Sequence, residues 1–138
     1  MRWVAPINSK ETIDAVLALK TWAVVGLGNN PERAAFGVAK LLQDKGHRII
    51  PVYPRAEEVH GEAGYKTLAD IPEQVDVVDC FVNSKLVGKV VDEAIAIGAK
   101  AVWLQLDVID HEAVGRAQAA GLLTVMDRCP AIEYQARA

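Results

Sequence analysis

The chain has 138 residues, enough for one domain around one substantial core. Its formal net charge of −3, with no basic block or basic–aromatic stripe, argues against a nucleic-acid surface, and no apolar run is long enough to span a bilayer. Cys80 and Cys129 lack metal or redox spacing and no signal peptide opens the chain, so a reducing, cytoplasmic setting is expected.

No repeat or linker divides the sequence, which reads as a single domain over residues 1–138, with residues 1–20 forming a helix packed on the rest. Asn8 is expected to cap that helix, with Glu11 three residues on and Ile13, Val16, Leu17 and Leu19 on its apolar side. The first strand, Thr21–Leu27, is nearly all apolar and should be buried on both faces. It runs into Gly26-Leu27-Gly28-Asn29-Asn30-Pro31, a glycine turn with a helix directly behind it. Asn30 is the expected cap and Pro31 the first helical residue, where its missing N–H costs nothing. Ala35, Val38, Ala39 and Leu42 recur at helical spacing, and Gly46 ends the run.

The second strand is His47–Val52. An irregular stretch follows over Tyr53–Gln74, with a short edge strand expected near Val59 and a turn at Leu68–Ile71. The alternation then repeats. Strand Val75–Phe81 leads to a helix from Ser84 that stops at Gly98. Strand Lys100–Leu106 leads to a helix capped by Asp110 that stops at Gly121, and strand Leu122–Asp127 leads to a short tail.

Strands alternating with helices imply a parallel sheet with right-handed crossovers and helices on both faces. The fold class is α/β, a Rossmann-like doubly wound, mostly parallel sheet of five main strands plus the short edge strand. If that edge strand pairs, the order is 3-2-1-4-5-6, with the switch point between the Trp22 and Asp76 strands. Ligands in such sheets bind outside the carboxyl ends of the strands, here Gly26–Arg33, Tyr53–Arg55, Phe81–Lys85 and Gln105–Asp107.

The glycine turn has the construction of a phosphate site: glycines permit tight bending and close approach, and a helix N-terminus offers unpaired N–H groups to an anion. It is not a full dinucleotide fingerprint, because the third glycine position is Pro31 and the second strand ends Ile50-Pro51-Val52-Tyr53-Pro54-Arg55 with no acid at its tip. Arg55 suits a nucleotide whose ribose carries a phosphate, which NADP and coenzyme A (CoA) both do. Arg33 and Lys85 each fall in the first turn of an expected helix, where a cation opposes the macrodipole and a polyanion bound between them would offset the cost.

In order and spacing, several segments resemble the small single-domain CoA-binding proteins of bacteria and archaea, related to the N-terminal domain of the succinyl-CoA synthetase alpha subunit. They are Val24–Arg33, Ile50–Pro54, Leu68–Pro72, Val78–Val82, Val102–Gln105 and Asp127–Cys129. The resemblance implies a Rossmann-like fold that binds CoA. It places phosphates at Gly26, Gly28, Asn29 and Arg33, the nucleotide end at Tyr53, Pro54 and Arg55, and further ligand contacts at Phe81, Val82, Asn83 and Ser84. Asn30, Lys85 and Gln105 complete the candidate cofactor-binding set. The chain departs from the family at Ala35 for Ser, Tyr53 for Asn, Val82 for Arg and Asp107 for Gly. Tyr53 can stack on adenine where Asn would hydrogen-bond, and the loss of Ser and Arg removes phosphate contacts.

No catalytic or metal site is expected. His47, His60 and His111 have no neighbouring base, metal partner or nucleophile at a recognisable spacing. Asp76 and Asp79 sit an odd number apart in one strand and so face opposite ways. Trp22, Trp103 and Cys80 read as packing, and Cys129 as a small apolar residue near the end of the last strand. The leading expectation is a protein that binds CoA or acyl-CoA without chemistry of its own, with no nucleic-acid or membrane partner, and with association of copies through the irregular segment left open. The alternatives are an NADP-dependent oxidoreductase or redox sensor, and a partner subunit of an acyl-CoA synthetase.

Overall fold

The structure, a computed structural model, describes residues 4–138, so the first three residues of the expected N-terminal segment lie outside the described residues. Five parallel strands form one sheet: β1 (Thr21–Val25), β2 (Arg48–Val52), β3 (Val77–Cys80), β4 (Ala101–Leu104) and β5 (Leu123–Val125), in the order β2-β1-β3-β4-β5. The helices are α1 (Lys10–Leu17), α2 (Ala34–Asp44), α3 (Val87–Ala96), α4 (His111–Ala119) and α5 (Pro130–Ala136). The sheet is thus Rossmann-like and doubly wound, and its order reverses between β1 and β3, as expected for the Trp22 and Asp76 strands.

Side-chain alternation along the strands divides the core in two. Ala23, Val78, Cys80, Val102 and Leu104 point to the face covered by α3 and α4. Trp22, Val24, Val77, Ala101 and Trp103 point to the face covered by α1, α2 and α5. Both indoles are fully buried and donate to backbone carbonyls, Trp22 to Leu19 and Trp103 to Arg128, so they are packing residues with satisfied polar tips. His47 is wedged on the same side: its Nδ1 lies 2.8 Å from the Leu19 carbonyl, which can only accept, and its Nε2 takes the Tyr134 hydroxyl. Burial holds the His47 pKa below its ordinary value, so the ring is a neutral strut.

Five features differ from the expectations. Ser9, not Asn8, caps α1: the Ser9 hydroxyl accepts from the Thr12 amide, while the Asn8 side chain bonds both the N–H and the C=O of Met126 beyond β5. α2 begins at Ala34 rather than Pro31, because the Asn30 carboxamide closes a local turn onto the Glu32 amide and postpones the helix. Arg33 is therefore the N-cap residue of α2. In the same way Asn83 accepts from the Lys85 and Leu86 amides, so α3 starts at Val87 and Lys85 precedes it.

Val59 does not add a strand to the sheet. It forms an isolated antiparallel bridge to Glu62 across the left-handed His60 and Gly61, and its buried side chain joins the α2-side core. The backbone of Tyr65 takes the edge of β2 instead, so the six-strand order is not formed. Finally, the expected tail is the helix α5, which starts on Pro130 and packs against α2.

Candidate functional site

The site is organised by Gly26. β1 ends at Val25, beside the switch point between β1 and β3, and Gly26 then donates its N–H to the Val52 carbonyl of β2 at 2.8 Å. Its φ of +97° belongs to glycine, and a Cβ there would overlap the Phe81 carbonyl. Gly28 plays a different part. It has no positive φ; a side chain there would crowd Tyr53 and Glu57, so its role is space rather than bending.

Three cavities meet at Gly26 and Arg33, both of which line all of them. The first, about 400 Å³, is polar and is lined by the glycine turn with Asn30, Tyr53, Arg55 and Glu57. The second, about 410 Å³, lies on the α2 side against Ala35, Val38, Phe81, Gln105 and Cys129. The third, about 650 Å³, lies on the α3 side against Tyr53, Pro54, Leu68, Phe81 and Val82, with Lys66 and Lys89 at its margin.

The expected site residues distribute over the three cavities, with Gly26 and Arg33 common to all and Tyr53 shared by the polar and α3-side ones. Gly26, Gly28, Asn29, Asn30, Arg33, Tyr53 and Arg55 line the polar cavity; Pro54 and Asn83 line the α3-side cavity; Phe81 and Val82 line both apolar cavities; and Gln105 lines the α2-side one. Ser84 and Lys85 line none of these cavities. The Ser84 hydroxyl accepts from the Ile109 amide and donates to the Asp107 carbonyl, tying the loops after β3 and β4 together. Asp107 has a φ of +66°, which explains why glycine suits that position, and its amide is held by Asp127.

Around this junction the charge is uneven. Arg33 and Arg55 make no ion pair and no side-chain hydrogen bond among the described residues, whereas Arg48, Arg116 and Arg137 are each paired with carboxylates. The Ala34 and Ala35 amides, which open α2, take no acceptor among the described residues, and Ala35 lines the α2-side cavity. One carboxylate intrudes: Glu57 lines the polar cavity, and its Oε1 accepts the Asn29 amide at 3.4 Å, a long contact. Ala56, at φ +50°, turns the chain back and brings Glu57 over the glycines. Glu57 was missed by sequence reasoning, since nothing in its spacing marks where an irregular segment will return. Lys66 was missed as well, Leu68 was signalled only by the Leu68–Pro72 segment, and Cys129 was read as a small apolar residue near the end of the last strand.

Beneath the α2-side cavity lies a buried polar pair. Asp79 is fully buried on β3, and its Oδ1 accepts from Gln105 Nε2 at 2.6 Å, while Oδ2 is buried without a partner. Burial pushes the Asp79 carboxyl up to about 7, and the Gln105 hydrogen bond opposes the rise. Burial and the nearby Asp79 carboxyl push the Cys80 thiol well up, so it stays protonated. No cluster of three or more His, Cys, Asp or Glu able to hold a metal exists among the described residues. No helix among them is long and apolar enough to cross a membrane.

Fold and topology define a Rossmann-like α/β domain with a glycine turn at its switch point. Residues 20–135 match the model of the CoA binding domain family, and the chain belongs to that family. It is 34% identical over 122 residues to the uncharacterized protein YneT of Bacillus subtilis, spanning 88% of this chain and 90% of that protein. It is 36% identical over 81 residues to the alpha subunit of an ADP-forming acetate–CoA ligase II of Pyrococcus furiosus; this covers 58% of the chain but 18% of that subunit. Among solved structures, a hypothetical protein of Pyrococcus horikoshii superposes with a TM-score of 0.88 at 40% identity, covering 99% of this chain and 98% of that one.

Proposed function

We propose that this protein binds CoA or an acyl-CoA at the carboxyl end of its sheet, with the pyrophosphate on the glycine turn. The observation that carries the reading is the junction at Gly26 and Arg33, where a polar cavity with two guanidiniums that have no ion-pair partner among the described residues opens onto two apolar ones. That combination suits a ligand with a concentrated negative charge between a base on one side and a long neutral arm on the other. Backbone amides at Gly28 and Asn29 and the Arg33 guanidinium would hold the pyrophosphate, with Glu57 swinging off the Asn29 amide. Tyr53 and Pro54 would flank the adenine, and Arg55 would meet the ribose phosphate.

Membership of the family supports CoA over NADP. The reading assigns binding and no reaction. A second reading has one specific support, the match to the ligase alpha subunit: the chain would act with a partner supplying the remaining parts of an acyl-CoA synthetase, since it spans under a fifth of that relative.

Thermal shift with CoA, acetyl-CoA, dephospho-CoA, NADP and NAD tests the first reading. A ligand that binds only the folded state raises the melting temperature, by about 2.7 kcal/mol of stabilisation at a hundred times its Kd. CoA should give the largest shift and dephospho-CoA a smaller one. A shift with NADP and none with CoA would reject the proposal. Co-purification with an ATP-dependent partner would favour the second reading.

A further inference from the structure

Asp79 and Gln105 form a buried pair that the binding of phosphates does not use. Asp79 faces the α2 side of the sheet between Val24 and Trp103, its register partners, and has no cation beside it among the described residues. A buried carboxyl in a sheet interior is costly, and a leucine would fill the space at less expense. What Asp79 does is fix a neighbour. Its Oδ1 can hold only a donor from Gln105 when ionised, so Gln105 Nε2 turns inward. The other end of the same carboxamide, Oε1, accepts no hydrogen bond among the described residues, and Gln105, at 5% exposure, lines the α2-side cavity. Gln105 therefore offers that cavity an acceptor of fixed direction.

The rest of the cavity is complementary to a neutral chain. Its walls are Ala35, Val38, Phe81, Val82, Val108 and Cys129, and Arg33 stands at the end shared with the glycine turn. The α3-side cavity differs: it is larger and carries Tyr53 and Pro54, which suits the base, and it shares Tyr53 with the polar cavity, where Arg55 stands for the ribose phosphate. Resting on the CoA reading above, we propose that the α2-side cavity receives the pantetheine arm, that Gln105 Oε1 accepts one of the arm's amide N–H groups, and that Asp79 is the positioning residue that fixes the direction of that acceptor.

The experiment compares two ligands, CoA and 3′-phospho-ADP, the half of CoA without the arm, by calorimetric titration. The Kd of 3′-phospho-ADP divided by that of CoA reports what the arm contributes. Gln105→Met keeps the volume and removes the acceptor. It should cut the ratio about five-fold, the worth of one neutral hydrogen bond, and leave the 3′-phospho-ADP affinity unchanged. Asp79→Leu should lower the ratio similarly, because the carboxamide is then free to turn, and Asp79→Asn should restore most of it, since its carbonyl oxygen still accepts Nε2–H. An unchanged ratio in Gln105→Met, or an equal loss for both ligands, overturns the proposal while the CoA reading stands. Binding of neither ligand by the unmodified protein overturns both.

A second measurement needs no variant. Cys129 lines the cavity, and Cys80 is fully buried. Desulfo-CoA, which keeps both amides and cannot consume reagent, should slow alkylation of Cys129 by at least five-fold, read by mass spectrometry of the protein, and 3′-phospho-ADP should not. Equal rates with and without desulfo-CoA would show that the arm lies elsewhere and would overturn the assignment.

Discussion

The two ends of the sheet treat charge in opposite ways. At the amino end, Arg48 at the start of β2 is gripped by Glu62 and Glu73, Lys100 before β4 reaches Asp76 before β3, and the Asp76 carboxylate also accepts the Thr21 amide. The Arg48 guanidinium is held well above its ordinary range by the hydrogen bonds it donates to Glu73 first and Glu62 second. At the carboxyl end, among the described residues, Arg33 and Arg55 face a cavity with no carboxylate within ion-pair distance, and Asp79 lies buried without a cation. Exposed ion pairs contribute little to stability, so the amino end is best understood as charge neutralised within the protein. The carboxyl end leaves charge and backbone donors open, and that difference marks it as the place for a ligand anion.

The largest effect should come from Gly26→Ala. The new Cβ meets the Phe81 carbonyl in a left-handed residue, so a loss of about 3 kcal/mol or more is expected in urea unfolding, together with loss of CoA binding. Gly46→Ala, also at positive φ but with open space around it, should cost about 1 kcal/mol and leave binding intact. Equal penalties at the two positions would break the argument that the carboxyl-end turn is the tight one.

Next is Asp79. Its carboxyl sits at about 7 in the folded protein against an ordinary 3.8, so the folded state binds the extra proton. Its contribution is then fully present below about pH 4 and is lost as pH rises through 7. Asp79→Asn should flatten that decline and gain on the order of a few kcal/mol over the unmodified protein at pH 8, read from urea midpoints at pH 5 and 8. His47 acts in the opposite sense: with its pKa lowered by burial, it costs stability as pH falls below the ordinary histidine value. The Asp79→Asn comparison isolates the carboxyl from that background.

Smaller effects separate the two ends directly. Arg33→Gln and Arg55→Gln should each weaken CoA binding about ten-fold, the worth of a charge-assisted hydrogen bond, with unfolding midpoints nearly unchanged. Arg48→Gln should do the reverse, leaving affinity intact and costing up to about 1 kcal/mol of stability. Glu57→Gln should tighten CoA binding about three-fold by removing the one carboxylate over the glycine turn, an effect reduced by added salt.

Much of this was legible in the sequence because the signals are repeated and local. Apolar runs such as Trp22–Val25 and Val77–Cys80, each followed by a helical pattern that stops at glycine, are enough for a parallel sheet and its switch point. What was not legible depended on single side chains competing for backbone donors. Asn30 and Asn83 each capture an amide and delay a helix by several residues, moving Arg33 to a cap and Lys85 out of a first turn. The irregular segment was harder still, because Ala56 and His60 adopt positive φ without being glycine. Those two turns put Glu57 over the glycines and leave the edge of β2 to Tyr65 rather than Val59. Pro130 after a strand reads as a stop, yet it starts α5, which Tyr134 ties to His47.

One measurement bears most directly on the open charge at the carboxyl end: calorimetric titration of CoA into the unmodified protein beside the Arg33→Gln/Arg55→Gln double variant. A saturable single-site heat that weakens by well over ten-fold in the double variant, with both proteins melting at the same temperature, is the predicted result. Equal affinity in the two proteins, or no heat of binding in either, would contradict it.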